Sequence, residues 1–396
     1  MEYMSVNEAA NKWGISSRRV HTLCGEGRIK GTARIGNAWA IPKNADKPKT
    51  PVSRVANTSK KKGHAMTSKT DGKLKLFVSN AQTIKKEFTW QHDSTRRLAA
   101  LLYAQENKPV ECEAIRQCHT MIKSSAGVFS AFRGNMSLCI ATLLALSDNP
   151  ERLLGETIKV YNMLKKVKLR ASDYLAVAAY QIAAGADPDN YSAVIERTRA
   201  FYDGMKAHHW FYTGQDDYVF AAMLGLSDLD VDTGVDRIEQ LYTRLKDEFW
   251  DKNSVQALSQ VMVLGGTSYT TTSRILALRD TLKAKKLRLD CSYTLSSLGI
   301  LALLPVDIEV IARDIDGAQA FLRAQKGFGV LSVDKQELLL IAAAIVAWEY
   351  ADSAKSGVLA ATLSTSITNI IIAQQAAMFA VITATNAEAV SESSSH

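Results

Sequence analysis

A basic residue closes one amphipathic segment after another: Lys85, Lys123, Lys165, Lys206, Lys246, Lys283 and Arg323, spaced by 38, 42, 41, 40, 37 and 40 residues. A period near 40 is the mark of stacked helical hairpins. Each anchor is followed by a loop and then by a more apolar segment, such as NMSLCIATLLAL, QDDYVFAAMLGL or ELLLIAAAIVAW. Between units lie turn and cap residues, among them Ser147-Asp148-Asn149-Pro150, Asp187-Pro188-Asp189 and Ser227-Asp228. Each unit therefore reads as a helix A, a loop and a helix B. A lone hairpin leaves its apolar face exposed, so about seven stack. The B helices, apolar on most sides, form the inner layer. The A helices, with charges such as Glu196, Arg199, Arg237 and Lys246, form the outer one. The expected fold class is all-α: an α/α solenoid or closed ring over residues 73–390, with the uncharged C-terminal helix capping or plugging the stack.

Residues 1–75 follow a different logic. They carry 16 Lys/Arg against 5 Asp/Glu, a net charge of +11, while the other 321 residues carry 32 against 35. Concentrated positive charge is the footprint of a phosphate-binding module. Residues 47–72 mix Pro, Ser, Thr, Gly and lysines without hydrophobic period and read as a flexible basic linker.

Ahead of that linker, Ser5 is placed to cap a helix over Val6–Trp13 with Ala9, Ala10 and Trp13 on one face. Gly14 permits a left-handed turn. Ser16 is placed to cap a second helix from Ser17 to about Gly25, with Val20, Leu23 and Cys24 facing the first. Arg18, Arg19, His21 and Thr22 then face solvent, where a recognition helix meets bases and phosphates. Ala33, Ile35, Trp39 and Ile41 flank the turn Gly36-Asn37 and suggest a small hairpin with Arg34 and Asn37 on its wing.

The residues Ser5-Val6, Glu8-Ala9-Ala10, Gly14-Ile15-Ser16, Arg18-Arg19-Val20, Glu26-Gly27-Arg28-Ile29 and Ile35-Gly36-Asn37 resemble the winged helix-turn-helix of MerR-type regulators and phage excisionases. The resemblance covers residues 3–46. It implies DNA contacts from Ser17, Arg18, Arg19, His21, Thr22, Lys30, Arg34 and Asn37. One position departs: those regulators usually carry Arg where His21 stands. Residues 73–390 resemble an uncharacterised family of bacterial helical proteins, mostly from Firmicutes, through SAFRGN (130–135), RTRAFYDGMK (197–206), DLDVDTGVDRIEQLY (228–242), SLGILALLPVDI (297–308), QKGFG (325–329) and IIIAQQAAM (370–378). That likeness brings no activity with it.

Within the repeats, KAHHWFYTGQDDY (206–218) concentrates the most chemistry. Its adjacent histidines point in different directions and lack HxxxH or HxxE spacing, so a metal centre is not expected. Its register is more informative. It is an A-to-B loop, as are 124–135 and 325–334, and stacking sets such loops along one edge. That edge is the expected partner or ligand rim: Phe132, Arg133, Asn135, His208, His209, Trp210, Asp216, Lys326 and Phe328. The alternative is that these aromatics seal hairpin tips and the polar groups cap helices.

No phosphate-cradling glycine loop, GxSxG elbow or HExxH motif occurs. Neither enzyme activity nor a cofactor is expected, although helical rings can host hydrolases with acids at the mouth. The five cysteines form no CxxC pair and read as free thiols. The N-terminus has no basic n-region or apolar h-region, and the uncharged run 357–387 is broken by Ser, Thr and Gln. A cytoplasmic, DNA-binding transcriptional regulator is expected, whose repeats oligomerise or sense an effector or partner, with 357–386 as dimer surface and no membrane contact. The alternatives are a protein-interaction scaffold with an adaptor head, and a helical-ring hydrolase.

Overall fold

Among the described residues, fourteen α-helices between Ser68 and Ser353 alternate between one-faced and all-round burial. The computed structural model describes residues 3–25, 29, 31–35, 38–47, 68–125, 130–266, 271–353 and 368–374. They fall into two units, Met1–His64 and Ala65–His396.

In the first unit α1 (Val6–Trp13) opens with a reciprocal cap. Ser5 Oγ accepts from Glu8 N at 3.3 Å, and Ser5 N donates to Glu8 Oε2 at 2.7 Å. Those bonds hold the Glu8 carboxyl below its ordinary pKa. The helix ends on Gly14 at φ +62°, whose N–H reaches Ala10 O and Asn11 O. Helix α2 (Ser17–Gly25) follows at once, and Val20 N donates to Ser16 O at 3.1 Å. Strands β1 (Tyr3–Met4), β2 (Ala33–Ile35) and β3 (Ala38–Pro42) form an antiparallel sheet in the order β1-β3-β2. Its register pairs Met4 with Ile41 and Arg34 with Trp39. The hairpin is the expected one; the edge strand β1, two residues long, carries no readable period. Met4, Ala9, Ala10, Trp13, Val20, Leu23, Cys24, Ile29 and Ile41 make the core.

In the second unit the A helices are α3 (Ser68–Glu87), α5 (Cys112–Ser125), α7 (Pro150–Lys166), α9 (Tyr191–His208), α11 (Val231–Leu245), α13 (Thr271–Ala284) and α15 (Ile308–Arg323). The B helices are α4 (Asp93–Gln105), α6 (Ser137–Ala145), α8 (Asp173–Gly185), α10 (Asp217–Leu226), α12 (Lys252–Leu264), α14 (Leu295–Leu303) and α16 (Lys335–Ser353). Helix α3 begins at Ser68, ahead of the expected boundary at 73. Side-chain caps set several starts: Asn149 for α7, Ser172 for α8, Asp230 for α11, Asp251 for α12 and Asp307 for α15. In α11 the buried set Val235, Ile238, Leu241, Tyr242 and Leu245 is a single stripe. In α14 every residue from Leu295 to Ala302 is buried. The layers are therefore as the pattern implies, with A outside and B inside.

The stack closes into a ring: α15 packs on α3, and α16 on both α3 and α4. The seam holds a ring contact, Phe77 to Phe328 at 5.6 Å, and a two-point ion pair in which Arg97 Nε and Nη2 meet Glu337 Oε1 and Oε2, both at 2.7 Å. A helical segment, 368–374, fills the centre. Thr368 donates to Gln105 at the C-terminal end of α4, and Gln374 exchanges bonds with Tyr293 and Ser297 at the start of α14. Since all B helices run the same way, this segment runs against them along the ring axis. Ile370, Ile371, Ile372 and Ala373 are buried in succession, which only surrounding helices can achieve. The expectation that the uncharged C-terminal run offers a dimer surface is corrected over these residues, since the ring's own core consumes their apolar area. The rest of that run lies outside the described residues. All five cysteines are free thiols, with Cys24, Cys118 and Cys139 buried. No helix among the described residues is long and apolar enough to cross a membrane.

Two arginines each brace the end of their own hairpin by one device. Arg197 donates to the carbonyls of Gly225, Ser227 and Leu229, which follow it by 28, 30 and 32 residues. Arg274 donates to Ala302, Leu304 and Val306 at the same three offsets. Each guanidinium satisfies carbonyls left open where an inner helix ends. Arg274→Ala should lower stability by about 2–3 kcal/mol, read as a fall in the urea midpoint at constant slope; a loss below about 0.5 kcal/mol, usual for surface changes, would deny the role.

Candidate nucleic-acid interface and partner rim

On α2, Val20, Leu23 and Cys24 are buried and His21 is exposed. The side chains of Arg18, Arg19 and Thr22, expected to face DNA, lie outside the described residues. Ser17 is half-buried and donates to Asn7 Oδ1 at 2.8 Å, so its hydroxyl ties α2 to α1. Arg34 lies in β2, opposite Trp39 of β3. Lys30 and Asn37 lie outside the described residues. Lys12 Nζ donates to Lys43 O at 2.6 Å and Lys47 Nζ to Trp13 O at 2.9 Å, so the start of the expected linker is bound to this unit.

The expected rim in the ring unit divides in two. Phe132 and Phe328 are buried, against Tyr161 at 5.0 Å and Phe77 at 5.6 Å, and seal hairpin tips rather than facing a partner. Asn135 is structural: its N–H meets Asp173 Oδ2 at 3.1 Å, against burial that raises the Asp173 pKa. Asp216 accepts from Asn253 Nδ2 at 2.9 Å. His209 packs on Tyr242 at 4.0 Å, with Nε2 2.5 Å from Glu239 Oε2. Arg133, His208, Trp210 and Lys326 are exposed, Arg133 while donating to Lys123 O at 2.6 Å. No group of three or more His, Cys, Asp or Glu among the described residues could hold a metal.

The same end of the ring exposes apolar side chains that the periodicity did not flag: Trp90, Phe211, Tyr212, Trp250, Val330 and Leu331. All stand in A-to-B loops. Trp210 and Phe211 rest against each other at 3.8 Å, and Trp250 is 96% exposed. Together they concentrate exposed apolar area at one end of the ring. The signal that could have found them is their position next to the repeat anchors, not their periodicity.

A family profile described as "Protein of unknown function (DUF4003)" matches residues 80–376. The chain belongs to the DUF4003 family. The matched span runs from α3 through the axial segment, so the DUF4003 region is the ring itself, while the head lies outside the match. No curated protein and no solved structure matches the chain.

Proposed function

We propose that this chain is a DNA-binding transcriptional regulator, in which the head binds DNA and the DUF4003 ring oligomerises or receives an effector or partner. The observation that carries this reading is the head: two short helices on a tight glycine turn, with a three-stranded sheet beside them, at the start of residues 1–75, whose net charge is +11. Positions 18, 19 and 22 and the exposed His21 fall on the part of α2 that contacts DNA in the winged helix-turn-helix proteins the head resembles. A single small head makes few phosphate contacts, so useful affinity calls for paired heads. A second reading, an adaptor head on an interaction scaffold, is favoured by the exposed aromatics of the rim.

Fluorescence anisotropy on labelled genomic fragments, across a salt series, tests both. Under the DNA reading, binding weakens steeply with salt, and Arg18→Ala/Arg19→Ala lowers the log–log slope by about 2 and removes the preference for any fragment. Absence of binding at low salt, by either protein, would overturn it in favour of the adaptor.

A further inference from the structure

A cavity of about 320 Å³ opens at the end of the ring where α4, α6, α8 and α10 finish. Its walls are Leu102, Leu143, Leu146 and Leu226, and Thr368 and Asn369 of the axial segment form its floor. At ~30 Å³ each, about ten waters fit, a size typical of small-ligand pockets. Gln181 of α8 lines it and is 3% exposed, yet neither its amide nitrogen nor its amide oxygen has a hydrogen-bond partner. A buried amide left unpaired on both atoms is costly and rare. Polar groups stand beside it: Gln105, Ser147 and, on the lip, Glu106. The surrounding B-to-A segments, 105–113, 146–152, 185–192, 226–232 and 303–310, hold 12 Asp/Glu against 2 Lys/Arg. This end of the ring therefore attracts cations and repels anions.

We infer that the cavity binds a small cationic molecule with an aliphatic body and an amide edge. The amide edge supplies the donor and acceptor that Gln181 lacks, the leucines cover the aliphatic part, and Glu106 faces the positive charge. The inference goes beyond DNA binding and does not depend on it, since occupancy is read on the protein alone.

L-leucinamide is the probe: it has an ammonium, an isobutyl group and a primary amide within the cavity's size. Calorimetric titration of the full chain should give a dissociation constant of about 1 mM or tighter. Leucine, with a carboxylate in place of the amide, should bind at least about tenfold more weakly, because it meets both the acidic end and an unmatched Gln181. Gln181→Leu should weaken leucinamide at least about tenfold while holding or raising the melting temperature, because it removes an unpaired buried amide. Ala184→Phe, at the exposed mouth, should block binding without touching the core. Absence of leucinamide binding to the wild type, or equal binding by both variants, overturns the inference.

Discussion

Arg97→Ala should cost about 3–5 kcal/mol of stability, far more than an ordinary surface ion pair is worth. The guanidinium sits in α4 and its carboxylate partner in α16, and both side chains are nearly buried, at 12% and 6% exposure. Removing the arginine leaves Glu337 in the seam with no matched counter-charge. Arg97→Met/Glu337→Leu should recover most of the loss, because an apolar pair of similar volume avoids the desolvation cost altogether. Urea unfolding of the three proteins checks this. A single-mutant loss under about 1 kcal/mol would mean that the seam between the first and last hairpins is open in solution.

Stability should also fall by about 3 kcal/mol as pH rises from 4 to 7, and a little further above 7, through one residue, Asp217. Its carboxyl is buried at the start of α10, and burial first, then the neighbouring Asp216 carboxylate, pushes its pKa up from 3.8 to about 7. Hydrogen bonds from Gln260 at 2.7 Å, Gly214 N at 2.9 Å and Gln256 at 3.0 Å offset only part of this. A raised folded-state pKa means that the native chain holds the proton longer than the unfolded one. The contribution is therefore complete below about pH 4 and is lost as pH rises through 7. The difference in unfolding free energy between wild type and Asp217→Asn, followed across that window, isolates the effect; a flat difference would remove Asp217 as its source.

Asp217 also illustrates what was legible and what was not. The stretch His208-His209 to Asp216-Asp217 stands out as a cluster of titratable groups. Spacing alone argues against a metal centre, yet it does not reveal that Asp217 is buried against two glutamines of α12 while half-buried Asp216 accepts from Asn253 at the start of that helix. Adjacent residues at a helix start diverge by about 100°, and which one is buried depends on the packing of α10 on α12. The rim shows the same limit. Loop register placed Phe132, Trp210 and Phe328 at one end of the stack, but whether an aromatic plugs its hairpin or stands in water depends on the cavity its neighbours leave. Phe132 and Phe328 found such cavities; Trp210 and Trp250 did not.

What the amino-acid sequence by itself determined is whatever is written locally and repeatedly. The seven hairpins, the outer and inner layers, the capped α1, the glycine turn and the β2–β3 hairpin all follow from period, caps and turn residues, and short-range sterics and local burial decide them. Closure was a tertiary decision. A small rotation per hairpin is invisible in any one repeat, and only its sum brings α15 and α16 back onto α3 and α4. Glu337, 240 residues beyond Arg97, then finds its partner, and the axial segment finds a lumen to fill. The same closure shapes the cavity around Gln181, because four inner helices and the segment between them must converge before that space exists.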